Sequence, residues 1–240
     1  MAWQEHPHDD GAALAHALAA QLYASARGAF ATEGAGVATF ALAGGRTPWP
    51  AYRHFATMPL DWSRIHLLPT DDRCVPHDHA ACNVRELRAA FASAQGARVD
   101  ALTVADGDPG RSETAIQALL AQAPYAGRPF DAVVLGMGLD GHTASLFPGA
   151  PQLATAMDPA DRHGAFRVDP DPLPPEAPFP RITLSLPRLL QARAVHLVIV
   201  GDAKLAVLRE AQARNDPFER PMSALLHAPD TCVHVHWSPA

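Results

Sequence analysis

The sequence predicts an α/β protein: an open, mostly parallel, Rossmann-like sheet with helices on both faces. Three observations carry this. Short β-branched or aromatic runs alternate with alanine- and leucine-rich stretches of helical period. Polar clusters fall directly after several of those runs, where an open parallel sheet meets its ligands. A length of 240 residues at 48% hydrophobic content can fill one large core, so a single domain over 1–240 is expected.

The elements follow in order. Residues 11–28 place Leu14, Leu18 and Leu22 on one helical face behind Asp9 and Asp10, both suited to cap a helix N-terminus. "VATFAL" (37–42) reads as a strand, followed by a helix near 48–57 that Pro48 would open. "IHLLP" (65–69) and "ALTV" (101–104) read as strands, with helices near 84–94 and 111–122. "FDAVVL" (130–135) is a further strand. "DPDPLPPEAPFP" (169–180) holds too much proline for a helix or an inner strand and is expected to be an extended loop. After it, "RITLSL" (181–186) is expected to rejoin the same sheet. "AVHLVIV" (194–200), a helix at 202–213 and "CVHVHW" (232–237) complete the pattern, with His234 and His236 on one exposed strand face.

Composition excludes several classes of partner. A formal net charge of -6 gives no general attraction for nucleic acid or anionic lipid, so any anion must be caught by a few local groups. The acidic start "MAWQEHPHDD" is unlike a signal peptide, and no stretch reads as a membrane span. Three cysteines, Cys74, Cys82 and Cys232, lack a disulfide-scaffold spacing and suit a reducing, cytoplasmic setting. Cys74, His77, His79 and Cys82 in "CVPHDHAAC" do not have structural-zinc spacing, so no metal is expected.

The polar clusters are "AGGRTP", "TDDR", "GMGLDGH" and "GDAK". In the first, Gly44 and Gly45 allow close backbone approach, and a helix start behind them makes an anion site. It lacks a Gly-Lys-Ser/Thr ending, which favours a single phosphate over a triphosphate. Lys204 falls in the first turn of a helix, where the dipole does not favour a cation, and a bound phosphate would explain it. Gly136, Gly138 and Gly141 have the spacing of a dinucleotide fingerprint. Pro148, Gly149 and Pro151 nevertheless stop any long helix, and no second strand ends in a ribose-binding carboxylate. The stretch offers instead Asp140 and His142 on a tight turn, an imidazole able to titrate near neutral pH. Ser145 is outside a G-x-S-x-G elbow and is not read as a nucleophile.

In this order, "GGRTP", "DDRCVP…CN", "GLDGHTASLFPG", "RITLSLP" and "GDAK" resemble the characteristic segments of the glucosamine-6-phosphate isomerase/6-phosphogluconolactonase family, on its lactonase side, from about residue 37 to about residue 226. The resemblance implies a sugar-phosphate isomerase/deaminase-like fold and hydrolysis of 6-phospho-D-glucono-1,5-lactone to 6-phosphogluconate in the oxidative pentose phosphate pathway, with no metal or organic cofactor. It implies catalytic roles for His142, Asp140, Arg73 and Asp71. His142 would be the general base and Asp140 its orienting carboxylate; Arg73 or backbone N–H groups of the glycine turn would meet the oxyanion. Gly44, Gly45, Arg46, Thr47, Arg181 and Lys204 would hold the phosphate. Asp72 stands where the family usually has Glu, Cys82 where it has Ser, and Arg46 where Ser is common. A deaminase or isomerase is disfavoured because Ser145, Leu146 and Phe147 replace the Phe-Asn-Glu that supplies a carboxylate to the histidine. A non-catalytic sugar-phosphate sensor is disfavoured by His142 itself. The expected partner is a small sugar-phosphate lactone, and the expected state a monomer or homodimer.

Overall fold

The structure is a computed structural model that describes residues 3–32, 36–160, 162–171 and 177–240. Its first element, β1 (Trp3–Pro7), pairs in parallel with the last, β10 (Val233–Ser238). Between them run α1 (Gly11–Ala31), β2 (Ala38–Leu42), α2 (Trp49–Ala56), β3 (Ile65–Pro69), β4 (Asp71–Arg73), α3 (Asn83–Ala90), β5 (Arg98–Val99), α4 (Pro109–Leu120) and β6 (Ala132–Leu135). Then follow α5 (Leu153–Ala156), β7 (Ala165–Val168), β8 (Arg181–Leu184), α6 (Leu186–Leu190), β9 (Val195–Val200), α7 (Asp202–Ala213) and α8 (Pro221–Leu226).

The main sheet has seven strands in the order β1-β10-β9-β6-β2-β3-β5, all parallel. From β2 the chain winds outward through β3 and β5; from β6 it winds the other way through β9 and β10. The direction reverses between β2 and β6, which makes their carboxyl ends the switch point where such sheets open a crevice. Alternation along the strands fills both faces. Phe40, Leu42, Ile65, Leu67 and Val134 pack with Leu14, Leu18 and Leu22 of α1 and with Tyr52 and Phe55 of α2. Ala41, Leu68, Val133, Leu197 and Ile199 pack on the opposite side with Ile116, Leu208 and Leu225. Asp10 caps α1 by accepting from Ala13 N at 2.8 Å, while Asp108 caps α4 ahead of Pro109. Among the described residues no helix is long and apolar enough to cross a membrane.

Three expectations are corrected. "RITLSL" does not rejoin the main sheet: β6 already has β2 and β9 on its two edges, so β8 pairs antiparallel with β4 and β7 in a separate three-stranded sheet. "ALTV" is not a strand. Pairing with β3 ends at Val99, and Leu102 enters the core from a loop whose Val104 N is held by Ser112 Oγ at 3.0 Å. His234 and His236 do not lie on an exposed face, because β1 covers that edge; His234 is half-buried and His236 is buried.

Candidate active site

At the end of β2, Ala43 N still donates to Val134 O, after which the chain turns at Gly45 with φ 98°, a conformation glycine adopts without cost. Gly44 is packed so closely that a Cβ would fall inside the amide of Asn83. Both glycines line an open cleft of about 240 Å³ at the switch point. Arg46 and Thr47, expected beside them, do not line it; past the turn Arg46 is exposed.

Beyond β6 the chain closes a tight loop. Gly138 N donates to His142 O at 2.9 Å and Gly141 N to Gly138 O at 3.1 Å. Gly141 takes φ 81°, and its carbonyl accepts from Met222 N of α8 at 2.9 Å, which pins the loop to the fold. The result holds His142 against Asp140: Nδ1 lies 2.6 Å from Asp140 Oδ1, which also accepts from His142 N at 3.1 Å. An Nδ1–H donated to the carboxylate leaves Nε2 with its lone pair. Burial pushes the Asp140 carboxyl up, but the hydrogen bonds and charge of His142 outweigh it and hold it below its ordinary value. Phe147 packs against the imidazole with ring centroids 4.3 Å apart. His142 lines the cleft, whereas Asp140 stands behind it.

The small sheet supplies the opposite wall. Register pairs Asp71 with Thr183 and Arg73 with Arg181, so alternation puts all four side chains on one face. Asp71 accepts from Ser145 Oγ at 2.5 Å, which turns that buried hydroxyl to the carboxylate. Arg73 Nη1 donates to Ala81 O at 2.9 Å and Asn83 Oδ1 at 3.1 Å. Arg181 Nη2 donates to Ala177 O at 3.0 Å, and its guanidinium lies over Phe147 at 4.7 Å. The Nε atoms of both arginines are buried without a partner among the described residues. Burial lowers the Arg181 pKa; the charge of Asp71 opposes this and that of Arg73 adds to it. Lys204 reaches the same cleft from the first turn of α7. It has no ion-pair partner among the described residues, and burial lowers its pKa. Three cations thus face one carboxylate in a chain of net charge -6, an arrangement that invites an anionic ligand.

Two residues escape a reading of the sequence. Asp72 is fully buried and absent from the cleft lining. Its Oδ1 accepts from Asn83 N at 2.6 Å and Arg73 N at 2.8 Å, and its Oδ2 from Val84 N at 2.9 Å and Cys82 Sγ at 3.6 Å. It is the cap of α3. Burial raises its carboxyl to about 6 against the pull of those N–H groups. Asn83 does line the cleft, and only its place after Cys82 in the "CN" pair marked it. His77 turns to Thr103 and Cys82 to Asp72, so this pair of the Cys/His cluster faces separate partners.

Fold and cleft together define a class: an α/β protein with a cation-lined cleft at the switch point of a parallel sheet and an aspartate-held imidazole at its edge. The chain belongs to the family described as glucosamine-6-phosphate isomerases/6-phosphogluconolactonase, whose sequence profile matches residues 9–237. It is 34% identical over 234 residues to a 6-phosphogluconolactonase of Pseudomonas putida, covering 98% of this chain and 92% of that one. It is 37% identical over 227 residues to a 6-phosphogluconolactonase of Pseudomonas aeruginosa, covering 94% and 90%. The crystal structure of a 6-phosphogluconolactonase from Shewanella baltica superposes with a TM-score of 0.89 at 31% identity, covering 98% of this chain and 97% of that one.

Proposed function

We propose that this protein hydrolyses 6-phospho-D-glucono-1,5-lactone to 6-phosphogluconate, the lactone-opening step of the oxidative pentose phosphate pathway. The observation that carries the reading is the Asp140–His142 pair at the edge of a cleft holding Arg73, Arg181 and Lys204. In this mechanism Nε2 of His142 takes a proton from water as its oxygen attacks C1 of the lactone. The imidazolium so formed is stabilised by Asp140. Negative charge develops on the carbonyl oxygen. Gly138 N, Gly141 N and His142 N already donate within their own loop, which favours the cleft-lining Arg73 over this turn as the donor for that oxyanion. Asp71, fixed by Ser145, holds a substrate hydroxyl beside it. Collapse breaks the bond from C1 to the ring oxygen, which receives the proton from His142; the new carboxylic acid ionises to solvent. Gly44, Gly45, Arg181 and Lys204 hold the phosphate, and Arg46 and Thr47 are left out of this set.

A deaminase-type reaction is disfavoured: the ring of Phe147 packs on the imidazole at the position where such enzymes place a carboxylate. The reading carries with it a cytoplasmic setting, in keeping with free Cys74, Cys82 and Cys232, and a monomer or homodimer. Proton release from freshly generated 6-phosphogluconolactone, corrected for spontaneous opening, tests it. His142→Ala is expected to keep its melting temperature and to lose about 10²- to 10⁴-fold in catalysed rate. Wild-type turnover in that variant would end the mechanism, and no catalysis by the unaltered chain would end the functional reading.

A further inference from the structure

We infer that Asn83 is the positioning residue for the Arg73 guanidinium, aiming it into the cleft through a neutral amide that leaves its charge unspent. The catalytic side of this inference rests on the lactonase reading above. Asn83 is 5% exposed and opens α3. Its Nδ2 donates to Asp71 O at 2.8 Å, and its Oδ1 accepts from Arg73 Nη1 at 3.1 Å. The amide has one orientation: reversed, it would set its NH₂ against a guanidinium donor and its oxygen against a carbonyl. One side chain therefore ties Arg73 to the backbone of Asp71. It also lies against Gly44, where a Cβ would displace it, so the turn after β2 and the arginine share one support.

The chemistry of the acceptors matters. Arg73 Nη1 is held by Asn83 Oδ1 and the Ala81 carbonyl, and among the described residues no carboxylate hydrogen-bonds this guanidinium. A carboxylate in that place would pair with it in a fork and cancel most of its field. Neutral acceptors fix its direction and leave the positive charge for an anion in the cleft. The amide is not needed to hold the helix, since Asp72 caps α3 by accepting from Asn83 N and Val84 N. The side chain of Asn83 thus serves the cleft, while its backbone serves the helix.

The test is a double-mutant cycle on lactone hydrolysis with Asn83→Ala, Arg73→Ala and the pair, read as separate kcat and KM values. Asn83→Ala is expected to lower kcat by about 10- to 100-fold, the worth of one hydrogen bond to a charged group, with KM changed less than about threefold. In the Arg73→Ala background the same substitution should change kcat by less than about threefold, because the group it positions is gone. Equal losses in both backgrounds would overturn the inference in favour of a structural role. A second readout needs no turnover: ¹⁵N NMR of the guanidinium side chains in the unaltered protein and in Asn83→Ala, with the Arg73 signal assigned by its loss in Arg73→Lys. A held guanidinium gives separate Nη1 and Nη2 resonances. One averaged resonance for Arg73 would sink the positioning claim even where lactonase activity is found. Separate resonances that merge in Asn83→Ala would uphold Asn83's grip on Arg73 even in a chain without lactonase activity, whereas separate resonances that persist there would assign the hold to the Ala81 carbonyl and overturn the inference.

Discussion

Lys204 sits in the first turn of a helix, the end where a cation is least favoured, and burial makes its charge costlier still. Such a residue needs an anion to repay its position, and the cleft it lines with Arg181 supplies the place. If the anion is the substrate's phosphate, Lys204→Met should lose about 10- to 150-fold in kcat/KM on the phosphorylated lactone. Glucono-1,5-lactone has no phosphate to lose and should be opened almost as well as before. Equal losses on both substrates would move Lys204 to the carbonyl or to a structural role. The polar clusters after strand-like runs and the family resemblance single out His142, Asp71, Arg73, Arg181 and Lys204, and the structure brings these five to one cleft, with Asp140 against His142. Arg46 and Thr47 do not line the cleft as expected, because the direction a chain takes past a positive-φ glycine is not written in the residues that follow it. Asn83 and Asp72 were illegible as a pair for another reason: their roles arise where α3 meets β4, a tertiary contact with no local signature.

The loop from Gly138 to His142 works as one element, and its glycine spacing records that rather than a nucleotide site. Gly138 does not need glycine for its own φ, since only Gly141 in this loop takes a positive value. It needs glycine because a Cβ there would overlap the His142 ring and the Asp140 carboxylate. Gly138→Ala should therefore part the Nδ1–Oδ1 contact with little harm to the sheet. The expected result is a loss of at least about 10²-fold in kcat beside a melting temperature within a few degrees of the unaltered protein. Unchanged kcat would mean that catalysis does not use the pair. At the scale of elements, the strands that alternate or run apolar, such as β2, β6 and β9, and the long helices α1, α4 and α7 follow the sequence closely. The strands that escape it are β1, β4, β5 and β7. "WQEHP" and "DDR" carry no apolar stripe, and "AFRV" is four residues long. Pairing partners make these strands, and the small sheet that aligns Arg73 with Arg181 exists only through such pairing.

Across the whole molecule, acid stability is expected to follow histidines remote from the cleft. Parallel register of β1, β10 and β9 stacks His6, His8, His196, His234 and His236 on one face of the sheet edge. His236 bonds His8 through Nδ1 at 3.2 Å and His196 through Nε2 at 3.1 Å; His6 bonds His234 at 3.1 Å. Burial first, and the charges of neighbouring histidines second, push His196 down to about 3 and His236 to about 2. In the unfolded chain both protonate near 6.5, so below that pH the unfolded state binds more protons and stability falls as pH falls. Asp72 has the opposite sign. Its folded carboxyl titrates at about 6 against 3.8 unfolded, so the folded state gains a proton between those values and offsets one of the two histidines. Glu5, lowered to about 2 by hydrogen bonding to Arg209 and opposed by burial, loses its contribution only below the unfolded value of 4.5. His8, His66 and His234 are lowered by burial as well, so between pH 6.5 and 4.5 the histidines outnumber the single Asp72 carboxyl that opposes them and stability slopes downward as pH falls. Urea unfolding at intervals from pH 7.5 to 4.5 should show this slope. His236→Gln removes one of these histidine protons and should make the curve shallower over the same range, whatever it costs at pH 7.5. Parallel curves for the two proteins would show that the histidine edge does not set the acid limb.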